Sequence, residues 1–459
     1  MGFTNSTFKK LNAIVGKNNC TKIKEDTYCY SYDSHNKGVL PCAVVFPKNA
    51  EEISQILKIA NQENFYVIPR GAGTGMTGGC VPVHSSVIIS TARMNKIIEI
   101  NTNDLISRVE PGVITGDFHR AVQKKGLFYP PDPSSSDIST IGGNVGECAG
   151  GPKAVKYGVT KDYVLGLEVV LPTGEIIKTG VKTAKGVVGY DITKLMVGSE
   201  GTLGIITEIT LKLLPLPEKV KTLSISFDKI NNAAETVSEI IRSNIIPRVI
   251  EFMDNASIRC VEDYANLGIP TNVEALLIIE LDGTELDVNF SMEKLIAICK
   301  KRGAKEIKTA STKEETDSLW KARKSISPAL LKYGTYKINE DIVVPRSKIP
   351  LMVKKIQELQ KKSGLHIVSF GHIGDGNIHV NVIVNKDNTE ELEKGETIIS
   401  EIFDYTIELG GTISGEHGIG ITKLKYLPKE ISEPAIALMK RIKKSFDPNG
   451  ILNPGKIFE

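Results

Sequence analysis

Three of the chain's seven histidines fall in two short motifs. GHIGDGNIHVN, at 371–381, sets His372 and His379 on either side of a Gly-Asp-Gly turn, and GEHGIG, at 415–420, sets Glu416 beside His417. Neighbours on an extended segment point opposite ways, so one of that pair can ligate a metal while the other faces a substrate. Two histidines and one carboxylate form a facial set that leaves coordination positions open. His372, His379 and Glu416 would suit a divalent cation chelated by the hydroxyl and carboxylate oxygens of a 2-hydroxy acid. The cation would orient that substrate and acidify its hydroxyl. Zinc, iron and manganese are not separated by such a donor set. On the residues alone an equally good reading is structural: histidines beside Gly-Asp turns often cap them through hydrogen bonds. His417 is the candidate general base, because a free imidazole titrates at about 6.5, close to neutral pH.

Residues that could cradle a large ligand come earlier. Glycine, 41 residues in all, is concentrated at 71–79, 142–158 and 198–204. The first cluster, PRGAGTGMTGG at 69–79, spells G-x-G-x-x-G through Gly73, Gly75 and Gly78. A strand at 65–68 precedes it, but Pro82 and β-branched residues follow where a dinucleotide-binding helix should open. A diphosphate would then be held by consecutive backbone N–H groups rather than by a helix N-terminus. PPDPSSSDISTIGGNVGECAGGPKAVKYG, at 130–158, and VGSEGTLGIIT, at 197–207, add donors with little side-chain bulk.

The elements that must position these residues divide by texture. Alternating strands and two helices, one opened by Pro47 to Glu52 and one at 117–125 closed by Gly126, fill 41–214; Pro215-Leu216-Pro217-Glu218 reads as a boundary. Beyond it, strands at 223–227, 248–252 and 276–281 alternate with helices at 232–242 and 288–301, which predicts an antiparallel sheet with helices on one face. At 459 residues and a net charge of +3, with 41% hydrophobic residues, the chain is a two-domain globular protein without a nucleic-acid footprint. No apolar run reaches the roughly 20 residues of a membrane span. Seven scattered cysteines, none in a C-x-x-C pair, fit reduced thiols in a cytoplasmic protein that carries no iron–sulfur cluster of its own.

The three glycine clusters, PPDP, KYG, GHIGDGNIHVN, SGEHGIG and FDPNGILNPGK occur in one order, and across 35–459 the chain resembles the flavoprotein subunits of glycolate oxidase and the related D-lactate dehydrogenases. These are FAD-linked oxidases of the vanillyl-alcohol-oxidase superfamily. The resemblance implies an α+β fold: a two-subdomain FAD-binding domain (1–217), an α+β substrate or cap domain with an antiparallel sheet (218–424) and a C-terminal segment returning to the FAD domain (425–459). It implies that Pro69, Arg70, Gly71, Ala72, Gly73, Thr74, Gly75, Gly78 and Gly79 hold the FAD diphosphate. Pro131, Asp132, Ser134, Gly142, Gly143, Asn144 and Gly146 would line the flavin. Gly151 and Tyr157 would lie near the dinucleotide, Glu200, Gly201 and Ile206 around the adenine half, and Asn453 would return to the flavin ring. Relatives with covalent flavin carry a histidine in the first loop; Thr74 and Gly75 stand there instead, so the FAD is expected to be non-covalent. Cys148 replaces a polar residue common in relatives and reads as an inert small side chain.

The resemblance also favours metal at His372, His379 and Glu416, and it matches Arg323 to a substrate-carboxylate arginine. A guanidinium fork suits a carboxylate, although an arginine in the Lys-rich stretch DSLWKARKSIS would ordinarily be a surface residue. Lys337 and Asn339 lie in a stretch that lines the site in relatives. The expected reaction is oxidation of D-lactate or glycolate. D-2-hydroxyglutarate, whose second carboxylate Lys337 could hold, a non-redox FAD enzyme of the same superfamily and a metal hydrolase are the alternatives. Electrons would leave to an iron–sulfur subunit or an electron-transferring flavoprotein, and such a partner would place the protein at the periphery of the membrane.

Overall fold

The structure, a computed structural model, describes Gly2–Phe458 except Ala184. The chain forms two compact units. The first comprises Met1–Gly150, Val159–Leu216 and Glu416–Glu459, and the second Gly151–Gly158 and Pro217–Gly415.

In the first unit, β1 (Cys20–Thr21), β2 (Ala43–Val45), β3 (Tyr66–Arg70) and β4 (Ser86–Ser90) make a sheet of order β1-β2-β4-β3, with β2 and β3 both parallel to β4. The crossover from β2 to β3 is the helix Ala50–Glu63. Asn49 caps it by accepting from the Glu52 N–H, and Asn64 ends it in the left-handed conformation at φ 55°. Its Ile53, Ile56, Leu57 and Ala60 recur at helical spacing and pack on Val67, Val87 and Ile89. β5 (Ile97–Asn101) and β6 (Ile106–Val109) join β8 (Val164–Val170), β9 (Ile176–Gly180) and β10 (Ile205–Lys212) in an antiparallel sheet of order β5-β6-β10-β8-β9, while β7 (Leu127–Phe128) pairs with β11 (Leu214–Pro215). The end of the chain adds to the first sheet: the Val67 N–H donates to the Ile451 carbonyl and the Asn453 N–H to the Val67 carbonyl.

The second unit is built on seven strands. β12 (Lys219–Phe227), β13 (Val249–Asp254), β14 (Ala275–Gly283), β15 (Ala304–Thr309), β16 (Tyr336–Val343), β17 (His366–Gly371) and β18 (Asn377–Val384) lie in the order β15-β12-β14-β13-β17-β18-β16. Every neighbouring pair is antiparallel. The expectation of helices on one face alone is overturned. Met253, Leu276, Ile278, Val368 and Phe370 pack with Ile258 and Val261 of the helix Asn255–Ala265 and with Ala322, Ile326 and Ala329. The alternate residues Ile250, Phe252, Leu277 and Ile279 point to the other face and are also fully buried. Helices Ile230–Arg242 and Glu285–Lys301 pack on β12 and β14 as well. Continuous apolar strands such as ALLIIEL, rather than alternating ones, are what a sheet covered on both sides requires.

Among the described residues no helix is long and apolar enough to cross a membrane. Truncating Ile279 to alanine empties a site buried on the interior strand β14 and is expected to cost about 2–5 kcal/mol. Trimming the fully exposed Val188 should change stability by no more than about 0.5 kcal/mol. Urea unfolding midpoints of the two variants test this, and equal midpoints would contradict the packing described.

Candidate active site

In the first unit the loop 71–79 closes on itself and on the C-terminal segment. Gly73 has φ 73°, and a Cβ there would meet the Arg70 guanidinium at 2.1 Å. The Gly78 N–H donates to Asp33 Oδ2 at 2.8 Å. Thr77 Oγ1 donates to the His417 carbonyl at 2.7 Å, and Thr77's own carbonyl accepts from the Ile421 N–H. The segment carrying Glu416 and His417 is thus fastened to the glycine loop, with Glu416 packed against Gly150 so closely that a Cβ on Gly150 would meet its Oε1 at 2.8 Å.

The second glycine cluster opens as a short helix, Ile141–Glu147, capped by Thr140. Gly71 must lack a side chain because a Cβ would stand 2.4 Å from Thr140 Oγ1, and Gly142 because Pro111 is as close. Gly75 and Gly146 instead face open space. Asn144 turns its amide to Thr115 Oγ1, the Pro131 carbonyl meets His119 Nε2 at 2.9 Å, Asp132 lies 3.8 Å from the same imidazole, and Ser134 is exposed. Ile206 is paired with Val169 in the β10–β8 ladder, and Gly201 abuts Pro69. Ala72 and Thr74 are half-buried.

Glu200 is buried with φ 51°, and its two oxygens accept from the N–H groups of Ile419 and Gly420. Asn453 donates to the carbonyls of Gly79 and Glu200, while its Oδ1 is buried without a hydrogen-bond partner. Glu147 was not anticipated from sequence. Its Oε2 is shut from solvent without a partner. Burial first, then Glu200 and Asp33, push its carboxyl well above the usual carboxylate range. Lys456 is held down at about 8, chiefly by burial.

In the second unit, strand register gathers the expected residues on one face. Across β16 and β18, Asp341 faces His379, Asn339 faces Asn381 and Lys337 faces Ile383; across β17 and β18, Phe370 faces His379. Because side chains alternate, Lys337, Asn339, Asp341, His379 and Asn381 share the face of Met253 and Glu251. The helix Lys313–Lys324 contributes Arg323, buried while its neighbours Lys321 and Lys324 are exposed, so it is not a surface arginine. Its guanidinium lies 4.7 Å from the Phe370 ring centroid, and its Nε donates to Glu251. His372, just beyond β17, places Nδ1 on the other oxygen of Glu251 and meets His379 edge to face at 5.3 Å.

Burial alone would push Glu251 up, but Arg323 and His372 outweigh it and hold the carboxyl below its ordinary value. Burial lowers the pKa of Lys337, whose Nζ donates to Ser327 Oγ at 2.6 Å. Gly151 and Tyr157 also belong to this unit, with the Tyr157 hydroxyl on Asp282 Oδ2 at 2.7 Å. Sequence reasoning missed Glu251, Asp341 and Asn381. A glutamate inside Val-Ile-Glu-Phe-Met and an amide inside His-Val-Asn-Val were the available signals, because a polar group on an apolar strand must find a partner.

Residues 216–457 match the family of FAD linked oxidases, C-terminal domain, and residues 41–180 match the FAD binding domain. The chain belongs to the FAD-linked oxidase family. It is 48% identical to the glycolate oxidase subunit GlcD of Bacillus subtilis, over 99% of this chain and 97% of that one. It is 36% identical to a D-lactate dehydrogenase of Anaerostipes hadrus, over 91% and 89%. Among solved structures it is similar to p-cresol methylhydroxylase, with a TM-score of 0.80 and 20% identity over 98% and 96%, a likeness of fold.

This FAD-linked oxidase has the features a bound flavin nucleotide needs in its first unit. Gly75 and Gly146 leave open space where a side chain would intrude, and Asn453 Oδ1 is a buried acceptor awaiting a donor. Cys148 caps the Ile141–Glu147 helix at φ 54°, and burial raises its thiol pKa, which suits an inert residue rather than a reactive thiolate.

A carboxyl with a raised folded-state pKa retains a proton that the unfolded chain releases above about 4.3. Stability therefore falls as pH rises from that value to the raised one. Glu147→Gln, neutral throughout, is expected to melt above the parent at pH 7, with the difference shrinking towards pH 4.5. Melting curves of flavin-free protein across that range check it; parallel profiles would reject a protonated Glu147.

Proposed function

We propose that this protein oxidises a small D-2-hydroxy acid, D-lactate or glycolate, to the 2-oxo acid. Arg323 receives the substrate carboxylate and His417 accepts the hydroxyl proton; His372, His379 and Glu416 would hold a divalent metal, which would supply Lewis acidity toward the hydroxyl. The observation that carries this reading is the shared face of the seven-stranded sheet. Arg323 and Lys337 are buried cations there, and both amide atoms of the fully buried Asn381 lack hydrogen-bond partners. Two desolvated cations and an orphaned amide ask for a small polar anion. The buried, mutually packed His372 and His379 fit a metal, whose chemistry when bound is to orient the substrate oxygens and acidify the hydroxyl. FAD, when bound, accepts the C2 hydride.

The chain's own residues do the rest. The guanidinium and the Asn381 amide fix the carboxylate end, which sets the face presented at C2 and so the stereochemistry. Burial of that end excludes water. The relatives named a glycolate oxidase subunit and a D-lactate dehydrogenase support the substrate class. The word subunit in the first name supports an electron-accepting partner protein, of iron–sulfur or electron-transferring flavoprotein type. Lys337 favours one further candidate, D-2-hydroxyglutarate. Among the described residues its hydrogen-bond partner is the neutral Ser327 hydroxyl, so it can take a second carboxylate.

Anaerobic D-lactate or glycolate is expected to bleach the flavin absorbance while L-lactate does not, and a chelator should abolish the bleaching. A flavin-loaded sample that stays oxidised with every 2-hydroxy acid would sink the proposal. Lys337→Met separates the substrates. It should reduce kcat/KM for D-2-hydroxyglutarate by about 10-fold or more, the worth of a charge-assisted hydrogen bond, if that diacid is the substrate. For lactate the loss should be several-fold smaller.

A further inference from the structure

Glu251 stands in the middle of the sheet, on a strand whose other residues from Val249 to Met253 are apolar, and it is fully buried. Nothing in the packing of β13 requires a carboxylate there. A leucine or methionine would continue the apolar cluster of Met253 and Ile278 beneath the helix Asn255–Ala265. A charge removed from water survives only if it is closely paired, and Glu251 is paired twice. One oxygen accepts from Arg323 Nε and the other meets His372 Nδ1.

We propose that Glu251 is a positioning residue of the substrate site, one carboxylate that sets both the guanidinium receiving the substrate carboxylate and the imidazole binding the metal. The inference rests on the functional reading above for the roles of Arg323 and His372.

Three observations give the carboxylate this reach. The register Phe252 to Gly371 and Met253 to Phe370 carries Glu251 opposite residue 372, so backbone pairing fixes its distance to the imidazole. A carboxylate at Nδ1 places the ring proton on that nitrogen and leaves the Nε2 lone pair for a cation. Holding Arg323 by Nε, with the Phe370 ring beneath, fixes the guanidinium plane. Among the described residues no acceptor engages its two terminal nitrogens, so both remain for a bidentate carboxylate. Loss of the charge would release the arginine and the histidine together.

The test compares parent, Glu251→Gln and Glu251→Asp. Manganese and zinc affinity is read by competition with a chelating dye, KM and kcat by anaerobic reduction with D-lactate, and folding by flavin content and melting temperature. Glu251→Gln is expected to fold with full flavin content, to bind metal about 10–100-fold more weakly and to raise KM at least about 10-fold, the scale of a lost charge-assisted hydrogen bond. A glutamine variant with parental metal affinity and KM, whether or not its melting temperature falls, overturns the proposal, because a merely structural carboxylate would move stability alone. Should glutamine not fold, aspartate decides. It keeps the charge but is one methylene too short to span both partners, so at least one of the two readouts must move, and parental values for both overturn the idea. A parent protein that takes up no metal and reduces its flavin with no 2-hydroxy acid overturns the functional reading itself, and this inference with it, before any variant is compared.

Discussion

The central strands of the second unit are covered on both faces, and that constraint governs everything placed on them. A polar side chain on β13 or β18 cannot turn to water, because its strand neighbours fix which face it points to. It must be paired by protein, or completed by something the protein binds. Glu251 is paired by Arg323 and His372, and Asp341 by the Gly415 N–H. Asn381 has neither kind of protein partner. An all-apolar face would have been easier to fold, since buried ion pairs are seldom more stabilising than the hydrophobic residues that could replace them. Their concentration on one face, beside the single buried arginine of a Lys-rich helix, is the feature on which the proposed substrate site rests.

The first unit meets a different constraint, close approach of backbone to backbone. Gly420 has φ 50°, and a Cβ on it would lie 2.1 Å from the Thr77 carbonyl; Gly71 and Gly142 are as tightly confined by Thr140 and Pro111. The glycine-rich motifs thus serve two ends that the sequence does not distinguish. Some glycines let separate chain segments touch, as where Glu200 receives the N–H groups of Ile419 and Gly420. Others, Gly75 and Gly146, face open space and leave room for a ligand. Tying 416–421 to the glycine loop costs side chains in both segments, and it fastens the His417 backbone to a loop that lies within the stretch matching the FAD binding domain.

Much of this was legible beforehand because it is local. The apolar spacing of Ile53, Ile56, Leu57 and Ala60 specifies a helix wherever it occurs, and the absence of a helix after Gly79 follows from Pro82 and its β-branched neighbours. Boundaries were less clear: the helix expected at 117–125 runs Thr115–Gln123, since Thr115 already adopts helical geometry before the acidic residue that signals a start. The Ile141–Glu147 helix was invisible, because Gly-Gly has poor helix propensity and the turn is imposed by the Thr140 cap and by Pro111. The partners of Glu251 were equally hidden. Arg323 and His372 lie 72 and 121 residues away in sequence, and their meeting depends on strand order β13-β17-β18-β16, which no local pattern encodes.

What the polypeptide leaves unfinished is itself informative. Asn453 Oδ1, Glu147 Oε2 and the Asn381 amide are buried polar atoms without partners, two residues in the first unit and one in the second. Each such atom costs about 1–3 kcal/mol in a folded protein, enough that the four of them, two on Asn381, weigh against a total stability of only about 5–15 kcal/mol. A neutral Glu147 carboxyl can donate, Asn453 Oδ1 can only accept, and Asn381 can do both. The three are therefore not interchangeable defects: each sets its own requirement within its own unit, and a ligand bound in that unit that meets the requirement recovers stability. Function is written into this chain most plainly where its own bonding is incomplete.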